Sequence, residues 1–318
     1  MFQSLFFLFI LQFFCSLELL SESKTKLSSQ HWIRLKNQMS HLRVSPNQRY
    51  LAFFEKKTKK LNIIDLVRRG SQAIATLDNV EKNFLWSPFS QRVFFASQKM
   101  NGKKLKIAVT VYNLQTKDST DIYHLDSNIS QLSYDRNNFR LLFMEGGKLH
   151  SSLLRFVTKK GSSWEKPKGF TFGNWIIKRR KIYWLNYKKL HLVQDLSSDI
   201  QSFDVSQDGK NLVWSTSKNE IMKSYLGQRA EFVDEGKSAS WHPYEKIICY
   251  ASMRKFSNKV INWDLKVVDA QGRKKWLTSS PYRNENWPQW FVGSEHNILY
   301  TSERTSDLFK LKFYEENL

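Results

Sequence analysis

A single turn, repeated along the chain, constrains the fold more than anything else. Trp86-Ser87-Pro88-Phe89-Ser90-Gln91-Arg92 runs straight into the apolar stretch Val93-Phe94-Phe95-Ala96. The same grammar stands at Val44-Ser45-Pro46-Asn47-Gln48-Arg49 ahead of residues 50–54. It returns at Val205-Ser206-Gln207-Asp208-Gly209-Lys210 before Leu212-Val213-Trp214, and at Trp241-His242-Pro243-Tyr244-Glu245-Lys246 before residues 247–250. Each copy reads as strand, tight polar turn, strand, because Pro, Asp, Asn, Gly and Ser supply the turn dihedrals between β-rich runs. All-β units repeated about every forty residues stack around an axis as a propeller.

Weaker copies complete the series. Ser133-Tyr134-Asp135-Arg136-Asn137-Asn138 precedes Leu141-Leu142-Phe143-Met144. Trp175-Ile176-Ile177, with a turn at Lys178-Arg179-Arg180, precedes Ile182-Tyr183-Trp184-Leu185. Trp290-Phe291-Val292-Gly293-Ser294-Glu295 precedes Ile298-Leu299-Tyr300-Thr301. The sequence therefore predicts an all-β, seven-bladed propeller of four-stranded antiparallel blades. The spacing from Ile177 to Ser206 is the shortest and leaves the fourth unit room for three strands, so six blades is the alternative count. In this frame Trp175-Ile176-Ile177 is an innermost strand.

The run after each turn (Leu51-Ala52-Phe53-Phe54, Leu212-Val213-Trp214, Ile247-Ile248-Cys249-Tyr250) is apolar on both faces, as a strand buried between two neighbouring blades must be. The aromatic load, 23 Phe, 12 Tyr and 11 Trp, is assigned to that inter-blade core. After the last unit's third strand, residues 308–313, too little chain remains for an outer strand. The orphan segment Trp32-Ile33-Arg34-Leu35 supplies one, and its pairing with the last blade would close the ring and remove two sheet edges.

Residues 28–318 read as one propeller domain, since no Pro/Gly/Ser-rich linker divides them. Residues 5–15 are apolar except for Gln12, a span of about 16 Å as a helix and roughly half of a hydrocarbon core. Residues 1–22 therefore read as an export signal, with a membrane anchor as the alternative, and the expected location is the periplasm. Without that segment Cys249 is the sole cysteine, so no intramolecular disulfide forms and the thiol is a core residue. The formal net charge of +21 favours anionic partners by steering. Basic hairpins between second and third strands share one face of a propeller. They make Lys56, Lys57, Lys59, Lys60, Lys103, Lys104, Lys188, Arg254 and Lys255 the candidate anion- or partner-binding residues.

With the repeats laid out, the chain resembles the TolB-like, WD40-like propeller repeat family of exported bacterial proteins. The carrying residues are Leu277-Thr278, Trp287-Pro288-Gln289-Trp290, Ile298-Leu299-Tyr300-Thr301-Ser302-Glu303-Arg304 and Leu308-Phe309-Lys310-Leu311. The stretches at 84–97 and 205–215 fit the same frame. The family's repeat carries a Leu-Thr, a Pro-x-Trp-Ser-Pro-Asp-Gly-Lys turn, an Ile-x-Phe-x-Ser strand and a later Ile-Tyr strand. The resemblance covers most of residues 40–313 and implies an exported propeller. TolB itself has an α/β domain ahead of a six-bladed propeller, whereas here few residues separate the apolar segment from the first unit. The repeat residues are structural and carry over no functional site.

The catalytic inventory is thin. There is no Gly-x-Ser-x-Gly, His-Glu-x-x-His, Cys-x-x-Cys or phosphate-binding Gly loop, and Gly169-Phe170-Thr171-Phe172-Gly173 lacks the strand-to-helix context of a nucleophile elbow. A metal-assisted polysaccharide lyase needs several imidazoles at the axis. Of the seven His, only His41 begins an innermost strand; His31, His124, His150, His191, His242 and His296 fall elsewhere. The expectation is a non-enzymatic binding scaffold of the bacterial cell envelope, without cofactor, metal or catalytic residues. Its expected partner is an envelope protein, an anionic polymer or a lipid headgroup, with membrane association peripheral. The lyase and a basic nucleic-acid binder are the alternatives, and the export signal argues against nucleic acid.

Overall fold

The computed structural model describes residues 29–314 apart from 35–36, 77–83, 102–103, 126–128, 130–131, 136–139, 146–147, 154–174, 179, 187–188, 207, 257–258, 281–282, 293–294 and 306. The expected export signal lies outside the described residues. The chain is a β-propeller. Its described strands form seven antiparallel sheets, five with four strands and two with three.

The first sheet is Met39–Val44, Tyr50–Glu55, Lys60–Asp65 and Ser71–Thr76. The second is Phe84–Trp86, Arg92–Asn101, Lys104–Asn113 and Ser119–Leu125. Ser133–Asp135, Arg140–Glu145 and Lys148–Leu153 form the third, and Trp175–Lys178, Lys181–Asn186 and Lys189–Asp195 the fourth. The fifth holds Ile200–Val205, Asn211–Thr216, Glu220–Tyr225 and Glu231–Glu235. The sixth holds Lys237–Trp241, Ile248–Phe256, Lys259–Val268 and Lys274–Trp276. The last is Glu285–Val292, His296–Ser302 and Asp307–Lys312, with Ser29–Arg34 from the start of the chain as its outer strand.

The sheets are glued face to face. One apolar cluster joins the first and second sheets through Phe54, Leu61, Phe84 and Phe95. Others join the second to the third through Phe94, Val109, Leu141 and Phe143, the fourth to the fifth through Trp175, Ile182 and Trp214, and the fifth to the sixth. The sixth meets the seventh through Cys249, Leu265, Tyr300 and Leu311. The seventh returns to the first through Leu299, Leu308, Leu51 and Ile64. Large buried aromatics such as Phe54, Phe94, Trp214 and Tyr300 are inter-sheet core, as the repeats imply, while Tyr225, Phe232, Tyr244 and Tyr314 are exposed; Cys249 is fully buried in the core.

Ring closure by the N-terminal strand is present. Ser29 pairs with Leu311, His31 with Phe309 and Ile33 with Leu308. Arg283 donates to Ser29 Oγ at 3.0 Å, and His31 and Arg34 reach Asp307 at 3.1 and 3.6 Å.

The fourth sheet departs from the sequence reading. Trp175 Nε1 donates to Gly209 O at 3.2 Å, which puts the start of Trp175–Lys178 beside the turn that enters the second strand of the fifth sheet. Arg180, at the other end, lies 4.0 Å from Asp199, directly ahead of the innermost strand Ile200–Val205. The register of Lys189–Asp195 skips Val193. The outermost strands of the first, second and fifth sheets skip Ile74, Ile122 and Val233 in the same way, each packed on its cluster. Trp175–Lys178 is therefore a second strand, not an innermost one, and Lys189–Asp195 is an outermost one. The cause is parity: a strand that feeds an innermost strand through only residues 196–199 must end on the face where innermost strands begin. Among the described residues, six sheets bring a strand to the axis and the fourth does not.

One buried carboxyl sits in the seam between the sixth and seventh sheets. Glu285, about 1% exposed, accepts from Thr278 Oγ1 and from Leu265 N at 3.2 Å. Burial, with Asp264 nearby, pushes it up to about 7 from its ordinary 4.5.

Two predictions follow from closure and from this carboxyl. Deleting residues 28–34 bares the edge of Asp307–Lys312, so the shortened protein should elute as aggregates in size exclusion where the intact chain is monodisperse; an unchanged profile would remove closure from the account. A carboxyl raised in the folded state stabilises fully below about pH 4.5, and that contribution is lost as pH rises through 7. Glu285→Gln should therefore match the wild type near pH 4.5 and exceed it by about 3 kcal/mol at pH 8, read from denaturation at both pH values.

Candidate functional site

A cavity of about 170 Å³ opens at the axis on the face of the repeated turns. Its wall takes one to three strand residues from each of six sheets: Arg43, Leu85, Ser133, Asp204, Ser240 and Gln289 among them. Trp86, Trp241, Trp290 and Phe203 form the apolar part, and Pro46, Gln48 and Pro243 belong to the turns at its rim.

The turns are built by a repeated device. Ser45, Ser87 and Ser206 accept through Oγ from the backbone N–H of Tyr50, Arg92 and Asn211 at 2.9, 3.1 and 2.9 Å. Three residues on, Gln48, Ser90 and Gly209 adopt φ of 61°, 58° and 72°; this left-handed conformation is easy for Gly and strained for the other two. Gln48 is then fixed between sheets, its Oε1 accepting from Val292 N at 2.9 Å. Asn47 N donates to Ser90 Oγ at 2.8 Å, tying the first turn to the second. Two of the tryptophans bridge inner strands: Trp86 Nε1 donates to Arg43 O at 2.8 Å and Trp290 Nε1 to Ser240 O at 3.2 Å.

Arg43 and Asp204 carry the charge of the cavity. The Arg43 guanidinium lies over Phe203 at 4.7 Å and Phe84 at 5.8 Å. Burial pulls its pKa down, and the Asp204 charge opposes that shift. Among the described residues no acceptor stands within hydrogen-bonding distance of its N–H groups. Asp204 is the opposite case. Ser240 Oγ at 3.0 Å, Trp241 N at 2.9 Å and its neighbour Val205 N at 3.0 Å all donate to its carboxylate. Burial raises its pKa, while Arg43 and these donors hold it back.

Deeper along the axis a cavity of about 30 Å³ is bordered by His41, Arg43, Ser238 and Trp287. Each of these inner strands bulges near its start, and the bulges set His41, Ser238 and Trp287 at φ of 53°, 55° and 54°. His41 is a channel residue as the sequence indicates, its ring 4.3 Å from Trp287.

The basic candidates lie elsewhere. Lys56, Lys57, Lys59 and Lys60 are exposed on the hairpin that joins the second and third strands, on the face opposite the cavity. Arg254 is engaged at home: it donates to Asp264 at 2.9 Å and to Thr278 O at 3.1 Å, and stacks on Trp276 at 3.8 Å. Lys255 pairs with Glu235 at 2.5 Å. Lys104 lies in a strand beside Asn101, and Lys103 and Lys188 are outside the described residues. The corrected frame of the fourth sheet moves the hairpin at Lys178 and Arg180 onto the same face as Lys56.

One further cluster has the composition of a metal site: His242, Glu245 and His296 hold ligand atoms within 4.8 Å of one another. Its chemistry does not fit. His242 stands where the other turns have Ser, and its Nδ1 accepts from Tyr244 N at 3.3 Å and Glu245 N at 3.0 Å. With Nδ1 taken, the neutral ring carries its proton on Nε2 and has no lone pair left for a cation. Burial, with the His296 ring 4.9 Å away, pulls His242 down to about 4, so it stays neutral. Equimolar Zn²⁺ should leave the thermal midpoint unmoved; a rise abolished by His296→Ala would show that the ring turns over to bind metal.

Sequence reading did not find Arg43, since a basic residue two positions before a turn resembles any solvated one. The usable signal was positional: Arg43, Asp204 and Ser240 occupy one register position in three different repeats.

No family model matches the chain, and no curated protein matches it. Its likenesses are to solved propellers. The WD40 repeats of RRP9 share 7% identity at a TM-score of 0.59, covering 90% of this chain and 97% of that one. The β-propeller domain of Myceliophteria thermophila Cps50 (Swd1) shares 11% at 0.52, covering 90% and 100%. TolB from Acinetobacter baumannii shares 11% at 0.42; 87% of this chain is covered, and the chain spans 55% of TolB's length. The likenesses to RRP9 and Cps50 show the fold, a β-propeller.

Proposed function

We propose that the protein is a non-enzymatic binding scaffold that receives part of a partner in the axial cavity on its turn face. The observation that carries this reading is Arg43, a cation held under two aromatic rings whose N–H donors meet no protein acceptor among the described residues. A half-buried, pre-positioned guanidinium is suited to an acceptor brought from outside. The absence of a recognisable catalytic motif from the sequence, and a channel holding His41 without other imidazoles, favour binding over lyase chemistry.

In the same reading the seven sheets are seven blades, residues 1–22 are an export signal, and the scaffold works in the bacterial cell envelope. The lysines at 56, 57, 59 and 60 give the opposite face a second, weaker role. They attract an anionic polymer or lipid headgroups through contacts that salt screens beyond about 8 Å.

Retention of envelope extract on three immobilised proteins tests both roles. Arg43→Glu should lose partners that the wild type holds. Changing Lys56, Lys57, Lys59 and Lys60 to Gln should keep those partners and lose only binding to anionic vesicles at low salt. If Arg43→Glu retains the same set as the wild type, the cavity is not the binding site.

A further inference from the structure

Resting on that reading of the cavity, we infer the chemical class of its occupant: a carboxylate borne on an apolar body, entering end-on from the turn face. The charged open group of the cavity, among the described residues, is a donor. Arg43 presents its guanidinium fork, and the amide nitrogen of Gln48, whose oxygen is already used by Val292, adds another donor at the rim. Asp204, the one acid on the wall among the described residues, is already supplied with donors by Ser240, Trp241 and Val205. An unfilled guanidinium fork calls for an acceptor group, and it pairs with a carboxylate through two parallel hydrogen bonds.

Charge and size narrow the class. Asp204 balances Arg43, so the site offers no net positive charge to offset the larger desolvation cost of a doubly charged phosphate, and a singly charged group fits better. About 170 Å³ is below the roughly 300 Å³ at which pockets begin to enclose whole small molecules, so one terminal group enters and the rest stays outside. Trp86, Trp241, Trp290 and Phe203 then cover the apolar body next to the carboxylate. Two sources supply this chemistry: the C terminus of a polypeptide ending in an apolar residue, and a free organic acid.

The test uses the full-length protein and its tryptophan fluorescence, since three of the indoles line the cavity. Acetyl-Ala-Ala-Phe with a free carboxylate should quench or shift the emission saturably. The same peptide as its C-terminal amide should bind about tenfold more weakly or not at all. Arg43→Gln should abolish the difference between acid and amide, and Arg43→Lys, which keeps the charge and loses the fork, should fall between them. 3-Phenylpropionate separates the sources: a Kd equal to the peptide's assigns the site to free acids, and a weaker one assigns it to polypeptide ends. Equal binding of acid and amide, or no saturable response to any probe, overturns the inference. Should Arg43→Gln fail to fold, the acid–amide comparison on the wild type decides alone. If Arg43→Glu loses its partners from extract while acid and amide bind alike, the cavity remains the site and only the carboxylate assignment falls.

Discussion

Everything in this molecule depends on sheets that are apolar on both faces. The second strand of the first sheet buries Leu51, Ala52, Phe53 and Phe54 almost completely, two side chains to each side. Such a strand has no solvent face to fall back on, so a sheet is stable only between two neighbours. A linear stack always leaves two bare ends; a ring leaves none. That is why the pairing of Ser29–Arg34 with Asp307–Lys312 matters beyond its few hydrogen bonds. It joins the two ends of the chain in one sheet, and Trp32 and Ile33 extend the cluster that seals the seventh sheet against the first.

The repeats made most of this legible. A Ser hydroxyl closing a turn, a residue at left-handed φ, and an apolar run behind it form one local unit, and local units are what sequence displays. Gly209 shows the left-handed position openly, whereas Gln48 and Ser90 hide it behind ordinary side chains. The fourth sheet was misframed for the opposite reason. Trp175-Ile176-Ile177 before a basic turn has the composition of an innermost strand, and only contacts distant in sequence, Trp175 to Gly209 and Arg180 to Asp199, reveal its true place. The bulge at Val193 would have been a local cue, yet β-branched residues are so common in strands that one of them announces nothing.

The axis is where the fold departs from regularity. His41, Ser238 and Trp287 hold left-handed backbone at matching bulges on neighbouring inner strands, a conformation that side chains other than Gly resist. A bulge shifts the alternation of a strand by one residue, so the side chains beyond it change the face they point to. Arg43, Ser240 and Gln289 all follow such a bulge and all reach the cavity. The strain and the opening at the mouth are thus parts of one arrangement. Sequence periodicity cannot show it, because the shift happens inside a strand whose pattern it interrupts.

The same geometry separates the protein's charge into two kinds. Much of it is spent close to home: Lys266 and Lys274 on Asp234 at 2.8 and 3.4 Å, Lys237 on Glu303 at 2.6 Å, Lys312 on Glu295 at 2.5 Å. The exposed pair of Lys312 and Glu295 contributes little stability, and all of these pairs cancel the near field of the bases they engage. A net charge of +21 therefore says less about a partner than it first suggests. Arg43 differs in kind. It faces an acid whose hydrogen-bonding capacity neighbouring donors already draw on, it lies between aromatic rings, and low polarity around it strengthens whatever acceptor arrives. One half-buried guanidinium with an unfilled fork specifies a ligand more sharply than a surface of solvated lysines, whose interactions water and salt divide among themselves.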